Sequence, residues 1–213
     1  SIFEMQYRLC FSLGALALMM FSACGDPSPA AADQALPILG NRDIVDGDTV
    51  YHQIPDFSFI DQDSNVVNNA TFADKLYIVD FFFTTCPSIC PTVTKQMLRL
   101  YERFEGEARV KLLAHTIDIR HDSVPVLKRY AEKIHVSSDK RHFVTGDEEK
   151  IYDMADDYFI AAQKDPDAPG GFDHSGRIIL VDQNRYVRSF CEGTDPDDVT
   201  RFMDDVQKLL DEQ

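Results

Sequence analysis

The sequence predicts an α/β fold, a central mixed β-sheet flanked by helices, and three observations carry that prediction. Strand and helix patterns alternate from residue 55 onward. The run KLYIVDFFF, residues 75–83, is almost continuously apolar and rich in β-formers, as a strand covered on both faces has to be. Two further apolar strands, 177–182 and 186–193, meet across Gln183-Asn184 and lead into a last helix, so a β-α-β unit is followed by a late antiparallel hairpin.

The elements follow in order. FSFI (57–60) and NVV (65–67) flank the polar DQDS and read as a hairpin. The buried strand at 75–83 comes next. A helix over 91–104 has Val93, Met97, Leu100, Tyr101 and Phe104 at helical spacing. A strand at 109–118, a helix over 123–134 and the short apolar HFVT (142–145) continue the alternation, and a helix over 147–157 precedes the loop QKDPDAPGGFDHS. The closing helix begins at Asp195-Pro196, where acidic residues suit the positive end of the helix dipole, and runs to about residue 210. A thioredoxin-like fold satisfies this order.

The first residues carry a different signal. After Met5 come Arg8, an apolar run over 9–21 and small residues before Cys24, in the order of an export signal, and the run is too short to span a membrane comfortably. Ser1 to Glu4 are simplest read as lying upstream of a start at Met5. FSAC resembles the lipobox of bacterial lipoproteins, which implies acylation of Cys24 and places residues 1–24 in a lipoprotein-type signal. Residues 25–36, GDPSPAAADQAL, lack a periodic apolar pattern and read as a tether reaching roughly 40 Å when extended. The globular domain would then occupy 37–213, exported into a bacterial cell envelope and anchored to a membrane by lipid. A formal charge of −15 argues against non-specific attraction to nucleic acid or anionic lipid, since both need positive patches.

Cys86 and Cys90 stand at the carboxyl end of the buried strand, each followed by a proline, where α/β sheets place their binding crevices. A helix amino terminus stabilises negative charge, so at least one of the two thiols should ionise more readily than a free cysteine. Pro87 and Pro91 suit a tight turn into a helix. Thiolates attack disulfides and bind soft metals, so two chemistries are open. A purely structural disulfide between them would close too short a loop to restrict the unfolded chain much. Among the histidines, His115 and His135 read as hydrogen-bonded structural groups and His121 as a solvated loop residue close to Asp118. His174, at the head of the late hairpin, sits on a loop that a thioredoxin-like sheet returns beside the cysteine-bearing helix, and two thiolates with one imidazole form a soft set suited to Cu(I). Cys191, unpaired on this count, reads as a packed thiol.

In order, DFFFTTCPSICPTVTKQM, HTIDIRHDSVPVLKRYAEKI, HFVTGDEEKIYDMA, GGFDHSGRIILVD and GTDPDDV closely resemble the Sco/SenC family of copper-binding proteins, over residues 36–210. The resemblance implies a thioredoxin-like fold and copper, as Cu(I) and/or Cu(II), held by Cys86, Cys90 and His174. It implies that Asp118 modulates the site without ligating. It also implies a partner: the CuA-bearing subunit of cytochrome c oxidase, or another copper protein, receiving copper or having its cysteines reduced. The chain departs from the family pattern at Ile119, where proline is frequent, and in having no tryptophan near Arg141-His142.

Two functions follow. One is a non-enzymatic copper chaperone that passes its metal on by ligand exchange. The other is a thiol-disulfide oxidoreductase, or a redox or copper sensor, using Cys86 and Cys90 as its reactive pair. The C-x-x-x-C spacing, and Asp173-His174 in the loop where thioredoxins carry a cis-proline, disfavour the oxidoreductase as the main role.

Overall fold

A computed structural model describes residues 35–212. The expected signal, the lipidation at Cys24 and nearly all of the tether therefore lie outside the described residues.

Seven strands form the main sheet: β3 (Ser58–Asp61), β4 (Val66–Asn68), β5 (Leu76–Phe82), β6 (Val110–Thr116), β7 (Arg141–Thr145), β10 (Arg177–Val181) and β11 (Val187–Glu192), in the spatial order β11-β10-β5-β6-β7-β3-β4. β5, β6 and β7 run parallel, with Leu76 opposite Val110 and Phe82 opposite Thr116, while β10, β11, β3 and β4 attach antiparallel. This is the mixed sheet that the sequence predicts.

Strand alternation divides the core. On one face Tyr77, Val79, Phe81 and Leu113 pack with Leu127 and Ala131 of α2 (Val124–Lys133) and with Ile151, Met154 and Ala155 of α3 (Glu148–Asp157). On the other, Leu76, Ile78, Leu112, Ile178 and Leu180 pack with Val93, Met97 and Leu100 of α1 (Cys90–Arg103) and with Val199, Phe202 and Val206 of α4 (Pro196–Asp211). β5, covered on both sides, is buried at all seven positions. The helix caps follow from composition: Asp195 accepts hydrogen bonds from the backbone of Asp197 and Asp198, and Asp147 accepts one from Lys150.

Among the described residues, two hairpins lie outside the main sheet. β1 (Arg42–Val45) and β2 (Asp48–Tyr51) turn through Asp46 and Gly47, both at positive φ, as a two-residue hairpin requires. The second corrects the sequence reading: within the stretch expected to be a plain loop, β8 (Ala162–Lys164) pairs antiparallel with β9 (Phe172–His174). Its strands are short and half exposed, so they lack the apolar alternation that reveals a strand. Farther back, the first described residues are fastened to β11, with Leu39 N–H donating to Val187 at 2.8 Å and Arg188 donating to the carbonyls of Leu36 and Pro37.

Candidate metal centre

The site is built at the carboxyl end of β5. The chain leaves the sheet at Phe82, passes through an exposed turn containing Thr85, Pro87 and Ser88, and enters α1 at Cys90, with Pro91 in the first helical turn where its missing N–H costs nothing. A buried carboxylate holds this turn in place. Asp122 accepts from the Thr84 backbone N–H at 2.9 Å, from the Thr84 hydroxyl, and from the Thr116 hydroxyl at 2.6 Å. The cysteine turn is thereby tied to the loop that follows β6.

The β8–β9 hairpin supplies the third side chain. Ala162 pairs with His174, and a tight turn at Pro169–Gly171 brings the hairpin onto the cysteine turn. Gly170 lies at φ +83°, and a Cβ there would come within 2.8 Å of the Phe83 ring and 3.1 Å of Pro87. Only glycine allows both that backbone and that approach. Phe83 in turn packs edge-on against the His174 ring at 5.6 Å and against Phe172 at 5.0 Å.

The result is a compact donor set. His174 Nε2 lies 3.4 Å from Cys90 Sγ and 3.9 Å from Cys86 Sγ, and all three donor atoms fall within 4.8 Å of one another. Two donors each about 2.0–2.3 Å from a shared soft ion must lie within about 4.6 Å of each other, and the two sulfur–imidazole separations satisfy that limit. The imidazole is oriented for the purpose. Its Nδ1 faces the Ser175 carbonyl at 3.3 Å, and because a carbonyl only accepts, Nδ1 donates and the ring is held with Nε2 turned toward the two sulfurs.

The two thiols are free and electrically unlike. Burial alone would push the Cys86 thiol up, but hydrogen bonds from Cys90, His174 and the backbone and hydroxyl of Ser88 outweigh it and bring it down to about 6. Burial, and after it the neighbouring Cys86, push Cys90 far above the ordinary thiol range. The easier ionisation expected for one cysteine thus falls on Cys86, and local hydrogen bonding is its cause.

Residues 46–211 match the SCO1/SenC family profile. The chain belongs to the SCO1/SenC family. The SCO2-like protein of Rickettsia conorii is 30% identical over 155 residues, covering 70% of this chain and 74% of its own length. BsSco, described as a member of the Sco family of cytochrome c oxidase assembly proteins and as having a disulfide switch, superposes with a TM-score of 0.67 at 24% identity, covering 83% of this chain and 98% of its own. Arabidopsis thaliana ScoI, solved with copper bound, gives 0.63 at 24% identity over 75% of this chain and 98% of its own. The thioredoxin-like fold is shared with these Sco structures.

The remaining sequence-predicted residues sort around this Sco-family site. Asp118 is buried and does not join the donor set; its Oδ2 accepts from His121 Nδ1 at 2.6 Å. His121, expected to be solvated, is 73% exposed and yet held by that carboxylate. His115 departs from expectation: it is fully buried among Phe57, Phe59, Phe81 and Tyr158, and neither ring nitrogen has a hydrogen-bond partner. It lies in the middle of the sheet, where neighbouring side chains are aromatic and the backbone is committed to the ladder. Cys191 is buried in the α1–α4 half of the core. Sequence reasoning missed Asp122 and Gly170. The spacing Asp118-x-x-x-Asp122 offered a weak signal for the first, and PGG for the second.

Proposed function

We propose that this protein is a membrane-tethered copper chaperone that binds one copper ion through Cys86, Cys90 and His174 and delivers it to, or prepares the thiols of, the CuA site of cytochrome c oxidase. The observation that carries the reading is the convergence of two thiols and one oriented imidazole, from two separate parts of the chain, on a single point. Two sulfurs and a nitrogen suit a soft ion, and copper best among those available to an exported protein. The copper bound by Arabidopsis ScoI and the cytochrome c oxidase assembly role of the BsSco family support the cargo and the recipient. The tether reading rests on the sequence alone: residues 1–24 as an export signal ending in an acylated Cys24, residues 25–36 as a spacer, and the domain from 37 onward working in the bacterial envelope.

In this reading Cys86 supplies a ready thiolate, Cys90 gives up its proton only when metal arrives, and the buried Phe83 wall limits water at the imidazole. A second reading, dithiol exchange at Cys86 and Cys90, is favoured by the contrast between an easily ionised and a resistant thiol, the arrangement of an attacking and a resolving cysteine. Anaerobic Cu(I) titration of the reduced protein against a competing chelator separates the two. Binding of one equivalent, weakened at least about tenfold by His174→Ala and abolished by Cys86→Ser or Cys90→Ser, supports the chaperone. Weak binding indifferent to His174, with disulfide reduction that survives its loss, supports dithiol exchange.

A further inference from the structure

A cleft of about 410 Å³ opens beside the donor set. Thr85, the residue before Cys86, forms one part of its wall, Gly170 to Phe172 of the His174 hairpin form another, and His121 lines it from the loop after β6. His121 therefore borders the same opening as the residue before Cys86 and the hairpin that carries His174.

The His121 imidazole is built for proton transfer. Asp118, whose side chain is only 5% exposed, fixes it through the 2.6 Å contact from Nδ1, and the Asp118 backbone is itself held by the Thr116 hydroxyl at 3.1 Å. A carboxylate can only accept, so Nδ1 donates, and Nε2 carries a lone pair with no hydrogen-bond partner among the described residues. A buried carboxylate behind a histidine with a free outer nitrogen is the arrangement of a general base. The charged groups around it are Asp118 and Arg120 on the same loop, with Glu148 of α3 and Lys164 of β8 across the cleft, the last two paired to each other at 2.6 Å. Tyr152 of α3 lies near Asp118 and stays neutral, pushed up to about 12 by burial and by the Glu148 and Asp118 carboxylates.

We propose that His121, positioned by Asp118, relays the proton that thiol-for-thiol exchange of copper requires; this rests on the chaperone reading above. Metal-bound sulfur is thiolate, so an incoming thiol must lose a proton, while the easily ionised Cys86 departs as thiolate. The partner S–H proton passes to His121 Nε2, and the new thiolate forms a bond to Cu(I). The bond from Cu(I) to Cys86 sulfur breaks, Cys86 departs as thiolate, and His121 releases its proton to solvent. One copper–sulfur bond forms and one breaks, the proton of the partner S–H passes through His121 to solvent, and copper stays Cu(I) throughout, so no oxidant or reductant enters.

The test is rapid-mixing transfer of Cu(I) from the loaded protein to dithiothreitol, followed by copper–thiolate absorption across pH 6–8. His121→Gln should slow transfer at least about tenfold at pH 7, the low end of what a positioned base contributes. Its equilibrium Cu(I) affinity should stay at the wild-type value, its pH profile should flatten, and added imidazole should restore the rate. Asp118→Asn should slow transfer less and move the pH at which the rate rises. A wild-type rate and pH profile in His121→Gln would overturn the relay, as would a parallel loss of affinity, which marks a structural role. Failure of the wild-type protein to bind Cu(I) at all would instead remove the chaperone reading beneath it.

Discussion

At the scale of single residues, the site works by making two chemically identical side chains different. Cys86 faces donors in its turn, in Cys90 and in His174, whereas Cys90 opens a helix against the core with Cys86 as its neighbour. Alkylation of the reduced protein should therefore separate them. Iodoacetamide should label Cys86 with a rate that rises through a midpoint near pH 6, and Cys90 should remain unlabelled when Cys86 is fully modified, as peptide mass mapping would show. Equal labelling of the two would contradict the asymmetry. These cysteines were legible in the sequence because a pair at C-x-x-x-C after a buried strand is unusual. His174 was legible through its place at the head of the late hairpin and through the family resemblance. The ionisation difference was not legible, because it depends on which donors the folded turn aims at each sulfur.

Three elements meet at the site, and a carboxylate from the loop after β6 holds two of them together. Asp122 receives three hydrogen bonds, two from Thr84 in the cysteine turn and one from Thr116 at the end of β6. Asp122→Asn keeps the shape but turns an amide donor toward groups that donate, so it should lower unfolding free energy by about 2 kcal/mol, within the range for hydrogen bonds to charged groups. Denaturant unfolding would measure that loss, and a variant as stable as wild type would deny Asp122 its clamping role. This function was hidden in the sequence, where Asp122 is one acidic residue among many; only the parallel pairing of β5 and β6 brings residues 84 and 116 to it. The β8–β9 hairpin was hidden for a different reason. Ala162, Gln163 and Lys164 show no alternation, and the intervening DPDAPGG has the composition of a loop, so the strand pairing that places His174 left no periodic trace. The strands β5, β6 and β10 and helices α1 to α4, by contrast, bury continuous runs or helical stripes, and these patterns are what a sequence displays.

Across the whole molecule, stability should carry the signature of one buried imidazole. Burial pushes His115 down to about 3, and its neighbours are aromatic rings. In the unfolded chain an ordinary histidine binds its proton near 6.5. Between those values the unfolded state holds more protons than the folded one, so folding stability falls as pH falls, by about 1.4 kcal/mol for each unit below 6.5. Urea unfolding at pH 7 and pH 5 should therefore show a smaller loss for His115→Leu than for wild type, and an identical pH dependence in the two would contradict this origin. The same aromatic core supports the candidate metal centre, since Phe83 joins the sheet to the His174 hairpin. Copper delivery as proposed requires Cys86, Cys90 and His174 to hold one ion together. X-ray absorption at the copper edge of the Cu(I)-loaded protein tests it most directly. The predicted spectrum fits two sulfurs and one nitrogen at about 2.0–2.3 Å, with the nitrogen lost in His174→Ala. A sulfur-only environment in the wild-type protein, or a nitrogen that persists in the variant, would contradict it.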